Sequence, residues 1–276
     1  MFRFYYLINA LSIDISLGAG VLSLVLGRYL GFRVPIPILL ILVLTVWIIY
    51  TVDHLMDAKA IKHQATSFRH HLHQHYFKPL VFGLIAALTI VCFLLTQVPP
   101  LTVLFGVPIS LGVAAYLVLN KFFGLTFQKE ILIAVLYVAG VIVGPFSLKS
   151  GQLASEMWIL LIQLVLMAWT NLLVFGIYEL KEDRADSLKS TVTVWGIDKT
   201  GSLIKSLLIL TFAIGLSGLV FHYTNAQFFK LQTIFLFMNG VLGILYFRKD
   251  NLSNHGLQYR YFGDGIFFMP VAFFWF

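Results

Sequence analysis

Three carboxylates, Glu179, Asp183 and Asp186, recur at i, i+4 and i+7 in the stretch Tyr178-Glu-Leu-Lys-Glu-Asp-Arg-Ala-Asp186. In a helix that spacing puts all three on one face. Like charges so stacked weaken a helix by a few tenths of a kcal/mol per pair. A chain that keeps them either solvates them or neutralises them with a cation. A second pair, Asp53 and Asp57, has the same i, i+4 spacing and also closes an apolar segment. Two such clusters over one cavity suit a hard divalent cation and an anionic substrate. Mg2+ binds through one or two carboxylates, phosphate oxygens and retained waters. Lys121, Lys181, Arg184, Lys189 and Arg69 are the candidates to grip the remaining phosphate oxygens. The same charges would also make a solvated face at a membrane boundary. Acids repeated at helical spacing in two segments favour the site.

The elements that must carry these residues are membrane helices. The 276 residues are 59% hydrophobic and 11% charged, with a mean hydropathy of +0.90, whereas a soluble domain carries roughly a quarter charged residues. The expected fold is therefore all-α: a polytopic bundle forming one integral membrane domain over residues 1–276. Runs of about 20 apolar residues, the length that spans a bilayer, lie at roughly 5–27, 35–55, 79–98, 100–120, 130–149, 157–178, 201–222, 228–247 and 257–276. Gln97-Val-Pro-Pro100 reads as a tight hairpin between the third and fourth, because proline ends one helix and can open the next. The spacing of Gly140 and Gly144 lets helices approach closely.

The basic residues orient the bundle. Of 19 Lys and Arg, only Arg28, Arg33, Lys149 and Lys230 fall on one side, with the other 15 opposite. The richer side is expected to be cytoplasmic, with the N-terminus inside and, for an odd number of spans, the C-terminus outside. Both acidic clusters then sit in the two longest cytoplasmic loops, about 56–78 and 179–200. The net charge of +7 is explained by this asymmetry and not by nucleic acid. The lone Cys92 excludes an intrachain disulfide. The start Met1-Phe-Arg-Phe-Tyr-Tyr shows no small-residue cleavage site, so no removable signal peptide is expected. The expected location is the inner (cytoplasmic) membrane of a bacterial cell.

Further candidates lie outside the clusters. Asp14 and Asp264 are intramembrane acids, expensive in hydrocarbon and therefore functional suspects. Arg260 at i−4 offers Asp264 a partner, while Asp14 has none nearby in sequence and would line the cavity or an acceptor pocket. Asn171, a little over three turns before Asp183, would face the same space. His71, His73 and His75 at i, i+2, i+4 are possible imidazole ligands for a transition metal. Without cysteine or an H-E-x-x-H spacing, a segment at headgroup level explains them better.

The pattern resembles the UbiA-type intramembrane prenyltransferases, which have nine helices and two aspartate-rich motifs after helices two and six. The second motif, of D-x-x-x-D type followed by a basic Ser-Thr stretch and a glycine, is matched by Glu179-Leu-Lys-Glu-Asp183, Lys189-Ser-Thr191 and Gly196. Glu replaces the first Asp. The first motif, of N-D-x-x-D-x-x-x-D type, keeps Asp53 and Asp57, but Ile49 and Tyr50 stand where Asn-Asp would be. Tyr116 and Lys121 resemble a Tyr and a Lys at the end of the family's fourth helix. The resemblance implies transfer of a prenyl chain from a Mg2+-bound prenyl diphosphate to a lipophilic or aromatic acceptor in the bilayer. It implies Asp53, Asp57, Glu179, Asp183 and Asp186 as metal ligands, the first four catalytic. Lys121, Lys189, Arg69, Asn171 and Tyr116 become substrate-binding residues. The incomplete first motif also suits a catalytically silent isoprenoid-binding relative. A secondary transporter coupled through Asp14 and Asp264 is the reading from outside that family.

Overall fold

The computed structural model describes residues 2–123, 127–149, 153–252 and 258–275. Its elements in chain order are α1 (Phe2–Ala10), α2 (Ile13–Tyr29), α3 (Ile36–Ala60), α4 (Phe68–His75), α5 (Phe77–Leu95), α6 (Pro100–Phe123), α7 (Phe127–Ser147), α8 (Ser155–Ala185), α9 (Thr191–Phe221), α10 (Ala226–Phe247), α11 (Lys249–Leu252) and α12 (Gln258–Gly265). A 3₁₀ segment, Ile266–Phe274, follows. No strand occurs among the described residues, as the helical reading requires. Among the described residues seven helices are long and apolar enough to cross a membrane, and an eighth span forms if the bent pair Phe4–Ala10 and Ile13–Tyr29 counts as one. The chain is a multi-pass membrane protein.

Two of the nine expected spans differ from plain helices. The first breaks by 72° between α1 and α2, where Ser12 takes the left-handed conformation at φ 55°. The last is α12 running into the 3₁₀ segment. Eight residues at about 1.5 Å and nine at about 2.0 Å give a contour of roughly 30 Å, one hydrocarbon thickness. Pro270 lies inside the 3₁₀ segment, and its missing N–H cannot support an α-helical ladder there.

The two acid-bearing segments, expected as loops, are mostly helix. α8 runs for 31 residues, about 46 Å, against a hydrocarbon core of roughly 30 Å. Its last three turns therefore emerge at headgroup depth, and Glu, Lys, Arg and Ala there are good helix formers. α3, at 25 residues, likewise carries Asp53 and Asp57 in its last two turns. Residues 191–200 already belong to α9, whose start is fixed by a capping box between Ser190 and Thr193. Gly196, at φ 81°, kinks that helix five residues later, a conformation that glycine adopts without a Cβ penalty.

α8 is the centre of the bundle, with Met157, Leu160, Leu164 and Met167 fully buried against α7, α9 and α10. α2 packs against α3, α7 and the 3₁₀ segment. A Cβ on Gly144 would stand 2.7 Å from Ile38 Cγ2, so this glycine does let α7 approach α3 closely. Gly140 meets only an ordinary contact at Leu42. α5 and α6 turn Phe82, Phe93, Leu104 and Leu111 outward, the pattern expected where lipid replaces water.

Candidate active site

The clustered acids do meet. Asp53 and Asp57 from the end of α3 and Glu179 and Asp183 from the end of α8 line one cavity of about 180 Å³. Arg69 and His70 of α4, Lys129 at the start of α7, and Lys189 between α8 and α9 line it too. Asn171 lies in the same wall, a little over three turns below Asp183. The arrangement follows from helix periodicity: each i, i+4 pair presents both carboxylates on one face, and the two helix ends meet at the same level.

The two pairs are not equivalent. Glu179 is engaged through one oxygen, Oε1: Arg260 Nε donates to it at 2.6 Å and Tyr259 Oη at 2.8 Å, and the Arg69 guanidinium lies 3.5 Å away. A second Arg260 nitrogen also contacts Glu179. Arg260 thus bonds Glu179 and stacks on Phe175 at 4.6 Å, instead of pairing with Asp264 as the i−4 spacing suggests. Glu179 fastens α12 to α8. Asp53 has the opposite character, since its Oδ1 is buried without a hydrogen-bond partner. Lys129 is drawn electrostatically to Asp53 and Asp57. Arg69 Nε is likewise buried and unpartnered.

Asp186 stands apart from the cavity. It caps the C-terminus of α8 and accepts from Thr66 N at 2.9 Å, from Ser67 N at 3.4 Å and from His63 Nε2 at 3.3 Å. Burial alone would raise its pKa, but the Thr66 and Ser67 donors and His63 outweigh it and hold the carboxyl below the usual range. Ser67 in turn N-caps α4 by accepting from His70 N at 3.2 Å. Asp186 therefore positions the helix that carries Arg69 and His70. Burial, then the neighbouring Arg69 charge, pushes the His70 imidazole down to about 3, so it is neutral at physiological pH. His71 and His75 stack on each other, while His73 is buried and bonds Arg69 O at 2.8 Å. Among the described residues no three His, Cys, Asp or Glu side chains are grouped to hold a metal.

Tyr116 lines a neighbouring apolar chamber of about 80 Å³, together with Leu42, Val46, Ile49 and Val113. Tyr50, Ile133 and Tyr137 belong to both spaces and form the wall between them. The side chain of Lys121 lies outside the described residues. Several lining residues were not singled out as site candidates from the sequence. Lys129 and Glu130 open α7, and Glu130 accepts from Thr191 N and Thr191 Oγ1, both at 2.8 Å, which fixes the Lys189–Ser190 strap. Asn9 and Arg260 complete the far wall, together with Asp264 and with Asp14, which lines the cavity as expected from the sequence.

No family model and no curated protein sequence matches the chain. By structure it is similar to a UbiA homologue from Archaeoglobus fulgidus bound to DMAPP and Mg2+, at TM-score 0.63 and 11% identity, over 95% of this chain and 98% of that one. It is similar to a UbiA homologue from the same organism bound to GPP and Mg2+, at TM-score 0.63 and 12% identity, over 96% and 99%. A digeranylgeranylglyceryl phosphate synthase structure is similar at TM-score 0.55 and 12% identity, over 98% and 99%.

Proposed function

We propose that this chain, which has the UbiA-type fold, is a divergent member of that superfamily and a Mg2+-dependent prenyltransferase. It would move a prenyl chain from a prenyl diphosphate to an aromatic or lipophilic acceptor within the membrane. One observation carries the reading. An orphaned acceptor, Asp53 Oδ1, and an orphaned donor, Arg69 Nε, are buried in the walls of one cavity that adjoins an apolar chamber. A buried polar atom without a partner is destabilising, and a cation for the first with a phosphate for the second would relieve both. The chemistry of the donors fits Mg2+, which needs only one or two carboxylates when the substrate supplies phosphate oxygens.

Asp53 and Asp57 on one wall and Asp183 on the other would hold the metal, with Glu179 supporting Arg69 and Arg260. Bound Mg2+ would neutralise the diphosphate as it leaves. Arg69, Lys129 and Lys189 would grip the non-bridging oxygens and stabilise the charge that develops as the C–O bond ionises. The prenyl tail would enter the apolar chamber past Tyr50 and Tyr137, which line both spaces and whose rings would stabilise an allylic cation. Ile133 and Phe267 would keep water from that cation. The charge asymmetry favours a cavity that opens to the cytoplasm of the bacterial inner membrane.

The test is binding of a fluorescent prenyl diphosphate to purified protein in detergent, with Mg2+ or EDTA, in wild type and Asp183→Ala. Saturable Mg2+-dependent binding, lost in the variant, is expected. Binding indifferent to both would remove the reading. The engagement of Glu179 Oε1 by two arginines favours a second reading, an isoprenoid-binding protein without turnover. Product formation from a labelled prenyl diphosphate separates the two.

A further inference from the structure

The far wall of the cavity holds a polar constellation that the prenyl diphosphate does not need. Asn9 Nδ2 donates to Asp14 Oδ2 at 2.7 Å and to Asp264 Oδ2 at 3.0 Å, so one amide bridges two buried carboxylates. Tyr5 Oη adds a bond to Asp14 Oδ2 at 3.2 Å, and Ile15 N donates to Asp14 Oδ1 at 2.9 Å. Asp14 is thereby occupied. Asp264 receives a donor only from Asn9 among the described residues, which leaves its Oδ1 available on the cavity wall. The nearest cation on its own helix, Arg260, is bound to Glu179.

A separate observation points to a ligand at the same place. Asn171 is 3% exposed, lines the cavity, and its Oδ1 has no hydrogen-bond partner. That oxygen lies 2.6 Å from where a Cβ on Gly263 would stand, so only a glycine beside Asp264 leaves room for it. Two acceptor atoms, Asp264 Oδ1 of a carboxylate and Asn171 Oδ1 of an amide, thus lie along α12 with no donor supplied among the described residues. Buried acceptors call for a donor, and carboxylates repel a ligand that is itself anionic.

We propose that Asp264 and Asn171 form the acceptor subsite of the prenyl transfer, and that the acceptor is a hydroxyl compound bearing no negative charge. This rests on the prenyltransferase reading. The acceptor O–H donates to Asp264 Oδ1, and Asn171 Oδ1 takes a second donor or orients the first. As the C–O bond of the prenyl diphosphate breaks, its electron pair leaves on the diphosphate. A lone pair of the acceptor oxygen forms the new bond to the allylic carbon, and the hydroxyl proton passes to the Asp264 carboxylate, from which solvent removes it. Asn9 and Asp14 are positioning residues that hold Asp264 at the wall.

Three phenols of similar size test the proposal: tyramine, 4-ethylphenol and 4-hydroxybenzoate, each supplied with tritiated geranyl diphosphate and Mg2+ to protein in nanodiscs. Wild type should transfer to tyramine and 4-ethylphenol at least tenfold faster than to 4-hydroxybenzoate. Asp264→Asn should lose transfer at least tenfold while it still binds geranyl diphosphate and releases diphosphate to water. Asn171→Leu should raise the KM for tyramine more than it lowers kcat. Equilibrium dialysis of labelled tyramine should show the same order of affinities, and size-exclusion profiles certify folded variants. Preference for 4-hydroxybenzoate, unchanged transfer in Asp264→Asn, or diphosphate release with no transfer to any phenol would overturn the subsite alone. Wild type that fails to bind geranyl diphosphate would take down the prenyltransferase reading with it.

Discussion

Replacing Glu179 by Gln should separate a carboxylate that holds the fold from carboxylates that hold a metal. Glu179 is the shared anion for Arg260 and Arg69 and the acceptor of the Tyr259 hydroxyl. Both arginine side chains are less than a fifth exposed. Removing one partner of a buried ion pair costs about 3–5 kcal/mol, because the charge left behind keeps its desolvation penalty. For a chain of this size each kcal/mol moves Tm by about 2 °C, so Glu179→Gln should melt roughly 6–10 °C below wild type. Asp53→Asn should melt within about 2 °C of wild type, since Asp53 Oδ1 has no hydrogen-bond partner among the described residues. Ligand effects should run the other way. Geranyl diphosphate with Mg2+ at about 100 times its Kd would add about 2.7 kcal/mol, or roughly 5 °C. That gain should survive in Glu179→Gln, on its lower baseline, and vanish in Asp53→Asn. Differential scanning fluorimetry in detergent reads all of these values. A Glu179→Gln protein that melts with wild type and loses the ligand-induced gain would refute the reasoning and make Glu179 a metal ligand.

Asp186→Ala should lower stability by at least about 2 kcal/mol, because the Thr66 and Ser67 N–H groups lose their acceptor, while Mg2+-dependent diphosphate binding persists. Its folded-state pKa is depressed. Its contribution is therefore present above the unfolded value of about 3.9 and lost as pH falls through the folded value. Wild-type Tm measured down the acid range should show that loss, and the variant should lack it. Gly140→Leu puts a Cβ in ordinary contact with Leu42 and sends three further carbons into the apolar chamber. At about 0.8 kcal/mol per displaced CH₂, affinity for farnesyl diphosphate should fall about 60-fold, with dimethylallyl diphosphate little changed in the same binding assay.

What was legible in the sequence was local. Asp53/Asp57 and Glu179/Asp183 are each a single helical turn, so spacing alone puts each pair on one face. That both faces meet in one cavity needed only the shared end of two spans. Where sequence reading went astray, long-range geometry decided. Arg260 has an acid four residues away, yet it bonds Glu179, 81 positions distant. Asn9 and Asp264 are separated by 255 positions, and no periodicity ranks such a pair. Asp186 continues the i, i+4, i+7 series, but the helix ends at Ala185. As a C-cap residue it turns toward the 63–67 segment instead of the cavity. The loops expected at 56–78 and 179–200 shrank because charged residues were read as breaks in apolar runs, whereas Glu, Lys and Arg extend a helix past the hydrocarbon with little penalty.

The departure from the first UbiA-type motif has a structural counterpart. Ile49 and Tyr50 occupy the positions where the motif has Asn-Asp, and both line the apolar chamber, with Tyr50 also facing the carboxylate cavity. At these two positions the chain has apolar wall in place of an amide and a carboxylate. Under the proposed function that exchange removes one carboxylate from the metal side, while Lys129 supplies a fixed positive charge beside Asp53 and Asp57. A fixed ammonium can carry part of the phosphate charge that further metal coordination would otherwise take. The site would then depend on fewer metal contacts and more on its basic residues. Lys129→Met should accordingly weaken prenyl diphosphate binding at saturating Mg2+ by at least tenfold, about 1.4 kcal/mol. An affinity unchanged by that substitution would show that the two aspartates and the metal carry the diphosphate without it.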